Sequence, residues 1–204
     1  IVLAVLSLAF FNLQPRYRLA DQAPNREHAI EAINRIDAKL AGANPVDVMI
    51  TIPQGKDLYS PETLEVLAQA HAIVETQAGV GNVWSLQTLR NWLKDKLGAT
   101  DVETMRQYVR ILPRFLVRRF LAPDQRTELI AGRIPDKDAS ELLPVVNKLD
   151  RGLDKVRAAH PDYKLDVTGL AVIAARNSAG MISKLGQGLT LEFAAVAIFI
   201  GLAF

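Results

Sequence analysis

Two aspartates four residues apart are the first place to look for chemistry. In "NKLDRGLDK", Asp150 and Asp154 share one face if the stretch is helical. Paired carboxylates divide acid and base roles when their surroundings drive their pKa values apart. Here Lys148, Arg151 and Lys155 flank them, so the pattern reads as a solvated charged face. "DKDASE" gathers more acids, but Asp138 with Glu141 fits a helix capping box. His28, His71 and His160 lie far apart, and His71, with no second candidate ligand nearby, reads as a helix-surface or boundary residue. The lack of cysteine removes disulfides, thiolate catalysis and Cys-ligated zinc. Gly79-Val80-Gly81 is too short for a phosphate loop and reads as a turn. H-E-x-x-H, G-x-S-x-G, Walker A and EF-hand patterns are missing. The chain is therefore read as a non-enzyme with no catalytic, metal-binding or cofactor-binding residue and no cofactor.

The elements that would hold any site come next. A chain of 204 residues makes one domain or two small ones. Lys and Arg total 24 against 22 Asp and Glu, a net +2 that is too balanced for nucleic-acid binding. Half the residues are hydrophobic and the mean hydropathy is +0.11, with the excess at the two ends.

In the middle, "VDVMITIP" (46–53), "ELIAGRIP" (128–135) and "YKLDVT" (163–168) are β-branched, partly alternating strands, and a short strand is expected around 83–85. After the first strand, Ser60 is a natural N-cap and Pro61 a natural first helical residue; Leu64, Leu67, His71 and Val74 share one face. Between 128–135 and 163–168, Leu142, Val145, Val146, Leu149, Leu153 and Val156 line one helix, with Pro144 near its start. A β-α-β pattern thus occurs twice, and two such units can share one four-stranded sheet with both helices on one face. That predicts an α+β fold of ferredoxin-like form across 46–168. A helical insertion is expected at about 86–125. In it Met105, Tyr108, Val109, Leu112, Phe115, Leu116 and Phe120 alternate with Arg106, Arg110, Arg114, Arg118 and Arg119. Ahead of the domain, 14–45 reads as a linker and an amphipathic helix with Ile30, Ile33, Ile36 and Leu40 on one face.

The ends are apolar. Residues 1–13 would cover about 20 Å as a helix and 190–204 about 22 Å, each short of a roughly 30 Å hydrocarbon layer. No basic region precedes Ile1, so a signal peptide does not fit. The expectation is that 1–13 is the end of a truncated transmembrane helix and that 169–204 is one long helix running into another. Glu192 would sit at headgroup level, and Arg16, Tyr17 and Arg18 suit a membrane interface.

"YRLADQAPN" after the first apolar run, the two β-α-β units, and "VTGLAVIAARNSAGMISKLGQGL" leading into the last run resemble the extracytoplasmic domain of RND-superfamily exporters of the MMPL type, the group that includes lipid and hopanoid exporters. The resemblance covers the whole chain and is greatest to the second large loop, although the first is built alike. It implies a porter domain in the periplasm of a proton-driven bacterial inner-membrane transporter, with its proton-coupling acids in membrane helices outside this sequence. Its partners would be membrane lipids, a hydrophobic or lipid-like substrate and the remaining transmembrane bundle of the same polypeptide, with a homo-oligomer left open. Trp84, Trp92, Phe115 and Phe120 would then lie along a substrate path, unless they build ordinary core. The competing reading is the extracytoplasmic ligand-binding sensor domain of a membrane receptor or kinase.

Overall fold

The computed structural model describes Arg18, Asp21, Pro24 and residues 26–203. The segment expected at 1–13 lies outside these residues. In chain order the elements are α1 (Arg26–Leu40), β1 (Asn44–Thr51), α2 (Pro61–Thr76), β2 (Gly81–Trp84), α3 (Leu86–Leu97), α4 (Val102–Ile111), α5 (Arg114–Val117), β3 (Thr127–Ile134), α6 (Ala139–Gly152), α7 (Asp154–Ala159), β4 (Lys164–Thr168) and α8 (Leu170–Ala203).

The strands form one four-stranded sheet in the order β2-β3-β1-β4, antiparallel throughout. β1 and β3 pair along their full length, Asn44 opposite Ile134 and Thr51 opposite Thr127. Strict alternation divides their side chains between two faces. Val46, Val48 and Ile50 join Ile130, Ile134, Leu165 and Val167 on a buried inner face. Pro45, Asp47, Leu129, Ala131 and Arg133 point the other way.

Helices α2 and α6 cover the inner face. Leu64, Val66, Leu67 and Val74 come from α2, and Leu142, Val146 and Leu149 from α6. Ser60 caps α2, its hydroxyl accepting from the Thr63 N–H at 3.3 Å, with Pro61 at the first position. The start of α6 differs from expectation. Asp138 is its N-cap residue but makes no side-chain cap bond, and Glu141 instead pairs with Lys137 at 3.3 Å. The single helix expected over 142–156 is two, because the chain tightens at Leu153 between α6 and α7. The short strand lies at Gly81–Trp84, ahead of the expected position, because Ser85 is taken as the N-cap of α3.

Asp150 and Asp154 are not a simple solvated face. The Asp150 carboxylate accepts from Arg157 at 2.5 Å and from Arg176 at 3.0 Å, and Asp154 accepts from Arg157 at 2.7 Å. Arg157 and Arg176 also donate to the backbone carbonyls of Leu165 and Val167 in β4. Neighbouring cations that reach across to β4 convert a charged helix face into a tie between three elements.

A second polar joint fixes the chain before β1. The buried Asp136 carboxylate accepts from Asn44 at 2.9 Å and from Arg18 at 3.3 Å, while the Asp136 N–H donates to Asp37 at 3.0 Å. Arg18 thus serves the domain rather than only an interface. Helix α1 is held by Asp37, while its Ile36 and Leu40 remain exposed.

Helix α8 starts against the domain through Ala171, Val172 and Ala175. From residue 187 to 203 every side chain is exposed. At 34 residues and with an apolar second half, it is the one helix among the described residues long and apolar enough to cross a membrane. Gly169 makes its start possible: φ is +118°, and a Cβ there would lie 2.6 Å from the Pro45 carbonyl oxygen. Gly169→Ala is therefore expected to cost about 1–3 kcal/mol. A lower urea midpoint at unchanged m-value, measured on the full chain in mild detergent, is the expected result; an unchanged midpoint would refute it.

Candidate functional site

The outer face of the sheet is not bare. Helices α3, α4 and α5 leave β2, pass over that face and return at β3, bordering a half-open cavity of about 970 Å³. That is at the upper end of the range for small-molecule sites. Asp47, Leu129, Ala131 and Arg133 form its floor, and Leu89, Trp92, Tyr108, Leu112, Leu116 and Phe120 form much of its wall.

Local structure places each wall. Ser85 caps α3 by a reciprocal box with Thr88, and Gly98 ends it in the left-handed conformation at φ 64°. This orients α3 so that Leu86 and Leu93 enter the core while Leu89 and Trp92 face the cavity. Asp101 caps α4 through the Thr104 N–H at 2.8 Å. Tyr108 of α4 then meets Trp92 with ring centroids 5.9 Å apart, tying the two walls together. Trp84 reaches the cavity through an irregularity. Gly81 lies opposite Arg133 and Trp84 opposite Ala131, so β2 carries one extra residue across that span. The extra residue reverses the parity of the strand end and turns Trp84 to the outer face. Its indole N–H donates to Asn82 Oδ1 at 2.9 Å, and Asn82 itself adopts φ 50°.

Three of the four aromatic residues singled out in the sequence, Trp84, Trp92 and Phe120, therefore meet in one cavity. Phe115 does not line it; the single turn of α5 leaves it 66% exposed on the surface. Nor are the tryptophans core residues, at 60% and 46% exposed. The polar groups are few. Asp47 and Arg133 lie on the floor, where burial raises the Asp47 carboxyl and the Arg133 guanidinium opposes that rise. Arg118 and Arg119 lie at the wall. Such a lining suits an apolar ligand with a small polar end; Ser85 also lines the cavity, its Oγ lying 2.9 Å from His71 Nδ1.

No family model matches the chain, and no curated protein does.

Two buried ionisable groups lie on elements that border this site. His71 is 3% exposed, not a surface or boundary residue as the sequence suggested. Its Nδ1 is hydrogen-bonded to Ser85 Oγ at 2.9 Å, and its Nε2 lies 3.8 Å from Glu75. Burial lowers its pKa, with Glu75 acting in the other direction. It joins α2 to the residue that starts α3. Among the described residues, no three acids or histidines converge as a metal site would require.

The second group is Glu128, which sequence reading passed over. It is the second residue of β3, on the inner face opposite Ile50, and is 1% exposed. Neither carboxyl oxygen has a hydrogen-bond partner among the described residues. Its parity was visible in the sequence: Glu128, Ile130, Gly132 and Ile134 alternate with the outward residues. Burial pushes its pKa from the ordinary 4.5 up to about 8. The folded chain thus keeps a proton that the unfolded chain releases. This contribution is whole below about 4.5, is lost as pH rises toward 8, and is constant above that. Glu128→Gln removes the ionisation. Its stability relative to the parent should therefore grow with pH from about 5 and level off above 8. Urea midpoints of both chains across that range check this; a constant difference between them would refute it.

Proposed function

We propose that this chain is the periplasmic porter domain, with part of the membrane region, of a proton-driven RND-superfamily exporter of the MMPL type. It would work in the bacterial inner membrane and move hydrophobic or lipid-like substrates. The observation that carries the proposal is the cavity of about 970 Å³, lined by Trp84, Trp92 and Phe120 and roofed by the helical insertion. Exposed tryptophans are costly to leave in water without purpose. A ligand covering roughly 200 Å² of aromatic surface would gain about 5 kcal/mol before association costs. Two further features support the reading. The β2-β3-β1-β4 order, with α2 and α6 against one face, is what a ferredoxin-like porter domain requires. Helix α8 carries the domain into an apolar segment suited to a bilayer.

The full chain in nanodiscs, exposed to a hydrocarbon probe bearing a photoreactive diazirine, should be labelled in the peptides around Trp92 and Leu112. Trp92→Asp places a charge in the apolar wall and should cut that labelling by about tenfold or more. Labelling confined to α8, or unaffected by the substitution, would remove the cavity from the account.

The same reading makes α8 a rigid connection between the domain and the bilayer. A short Gly-Ser linker inserted near Gly186 should abolish transport by the intact exporter in proteoliposomes while leaving probe labelling in place. Transport that survives the insertion would show that the two parts work without rigid coupling.

A further inference from the structure

We infer that the cavity selects amphiphiles with one hydrocarbon chain and an anionic head, which is bound by Arg118 and Arg119. This deepens the proposal above and rests on the cavity being a substrate site.

The charges on the cavity wall do not balance. On the floor, Arg133 faces Asp47, and it also donates to the Ala43 carbonyl at 3.1 Å. These two groups compensate each other. Arg118 and Arg119 also line the cavity, but their side chains have no hydrogen-bond or ion-pair partner among the described residues. A nearby arginine shows the alternative. Arg106 is engaged with Asp57 at 2.5 Å and lies over the Tyr59 ring at 4.4 Å. Arg118 and Arg119 are thus two consecutive guanidinium groups, unpaired among the described residues, in a lining that also holds Leu112, Leu116 and Phe120. An arginine pair presents a planar fork of donors that fits carboxylate or phosphate oxygens. The chain of such a ligand would run toward Trp84 and Trp92, where the aromatic surface is exposed. A neutral lipid would fill the same space and leave both cations unanswered; a cationic one would be repelled.

Trp84 and Trp92 are the only two tryptophans in the chain, so all its tryptophan emission comes from the cavity wall. Brominated hexadecanoic acid, the matching brominated alcohol and the matching trimethylammonium salt can each be titrated into the full chain in zwitterionic nanodiscs. The acid should quench saturably with a midpoint about tenfold or more below the alcohol, as expected for a charge-assisted contact. The double variant Arg118→Ala/Arg119→Ala should erase that advantage and leave the alcohol midpoint unchanged, whereas Arg118→Lys/Arg119→Lys should retain part of it. Both residues are exposed, and unchanged circular dichroism would show that the variants fold. Equal midpoints for acid and alcohol, preference for the ammonium salt, or selection that survives the double alanine variant would each overturn head-group selection alone. No saturable quenching by any probe would overturn the substrate-site reading as well.

Discussion

Everything in this domain depends on the central pair β1 and β3 having to serve two faces at once. The two-residue period of a strand cannot be adjusted locally: once Val46, Val48 and Ile50 are committed to the helices, Pro45 and Asp47 are committed to the other side. The inner face is closed by α2 and α6, as in any two-layer α+β domain. The outer face, with Leu129, Ala131, Asp47 and Arg133, would be a half-apolar surface in water without the insertion. Helices α3 to α5 cover it without filling it, and the remaining space is the cavity. Glu128 follows from the same constraint. Its place in the alternation sends it inward, so the core accommodates a carboxyl by keeping it protonated.

Much of this was legible in the residues. The three longer strands and the cap at Ser60 are local signals, and each lies within a few positions of where the pattern puts it. What local pattern could not supply was direction. Whether Trp84 points to the core or away from it turns on one extra residue in β2, which pairs with β3 nearly fifty positions later. Phe115 and Phe120 are five residues apart in one apolar series, yet one faces solvent and the other the cavity, because α5 ends after a single turn. His71 shared a face with Leu64 and Leu67, but its partner Ser85 belongs to the next helix. The capping box at Asp138 had the right letters and lost to an ion pair with Lys137. Short polar side chains have several partners of similar energy, and tertiary context selects among them.

The polar joints show how the pieces around the sheet are held. Asp37, Asn44, Asp136 and Arg18 meet where α1 gives way to β1, and Ala171, Ala174 and Ala175 of α8 pack at the same corner. The segment before the domain and the helix after it thus converge on one buried carboxylate. Breaking one partner would leave the Asp136 charge buried and uncompensated, which costs more than the pair itself contributes. The convergence makes that corner a single mechanical unit, although its residues are more than a hundred positions apart.

The sheet ends on one side at β4, where a lone edge strand normally offers its carbonyls to any extended chain that passes. Here Leu165 and Val167 are already occupied: Arg157 donates twice to the first and Arg176 to the second, and Asp150 holds both arginines in place. A guanidinium can satisfy those carbonyls but cannot propagate a ladder. The arrangement therefore blocks strand addition at this edge, so the sheet can be crowded against its own copies without extending from one to the next.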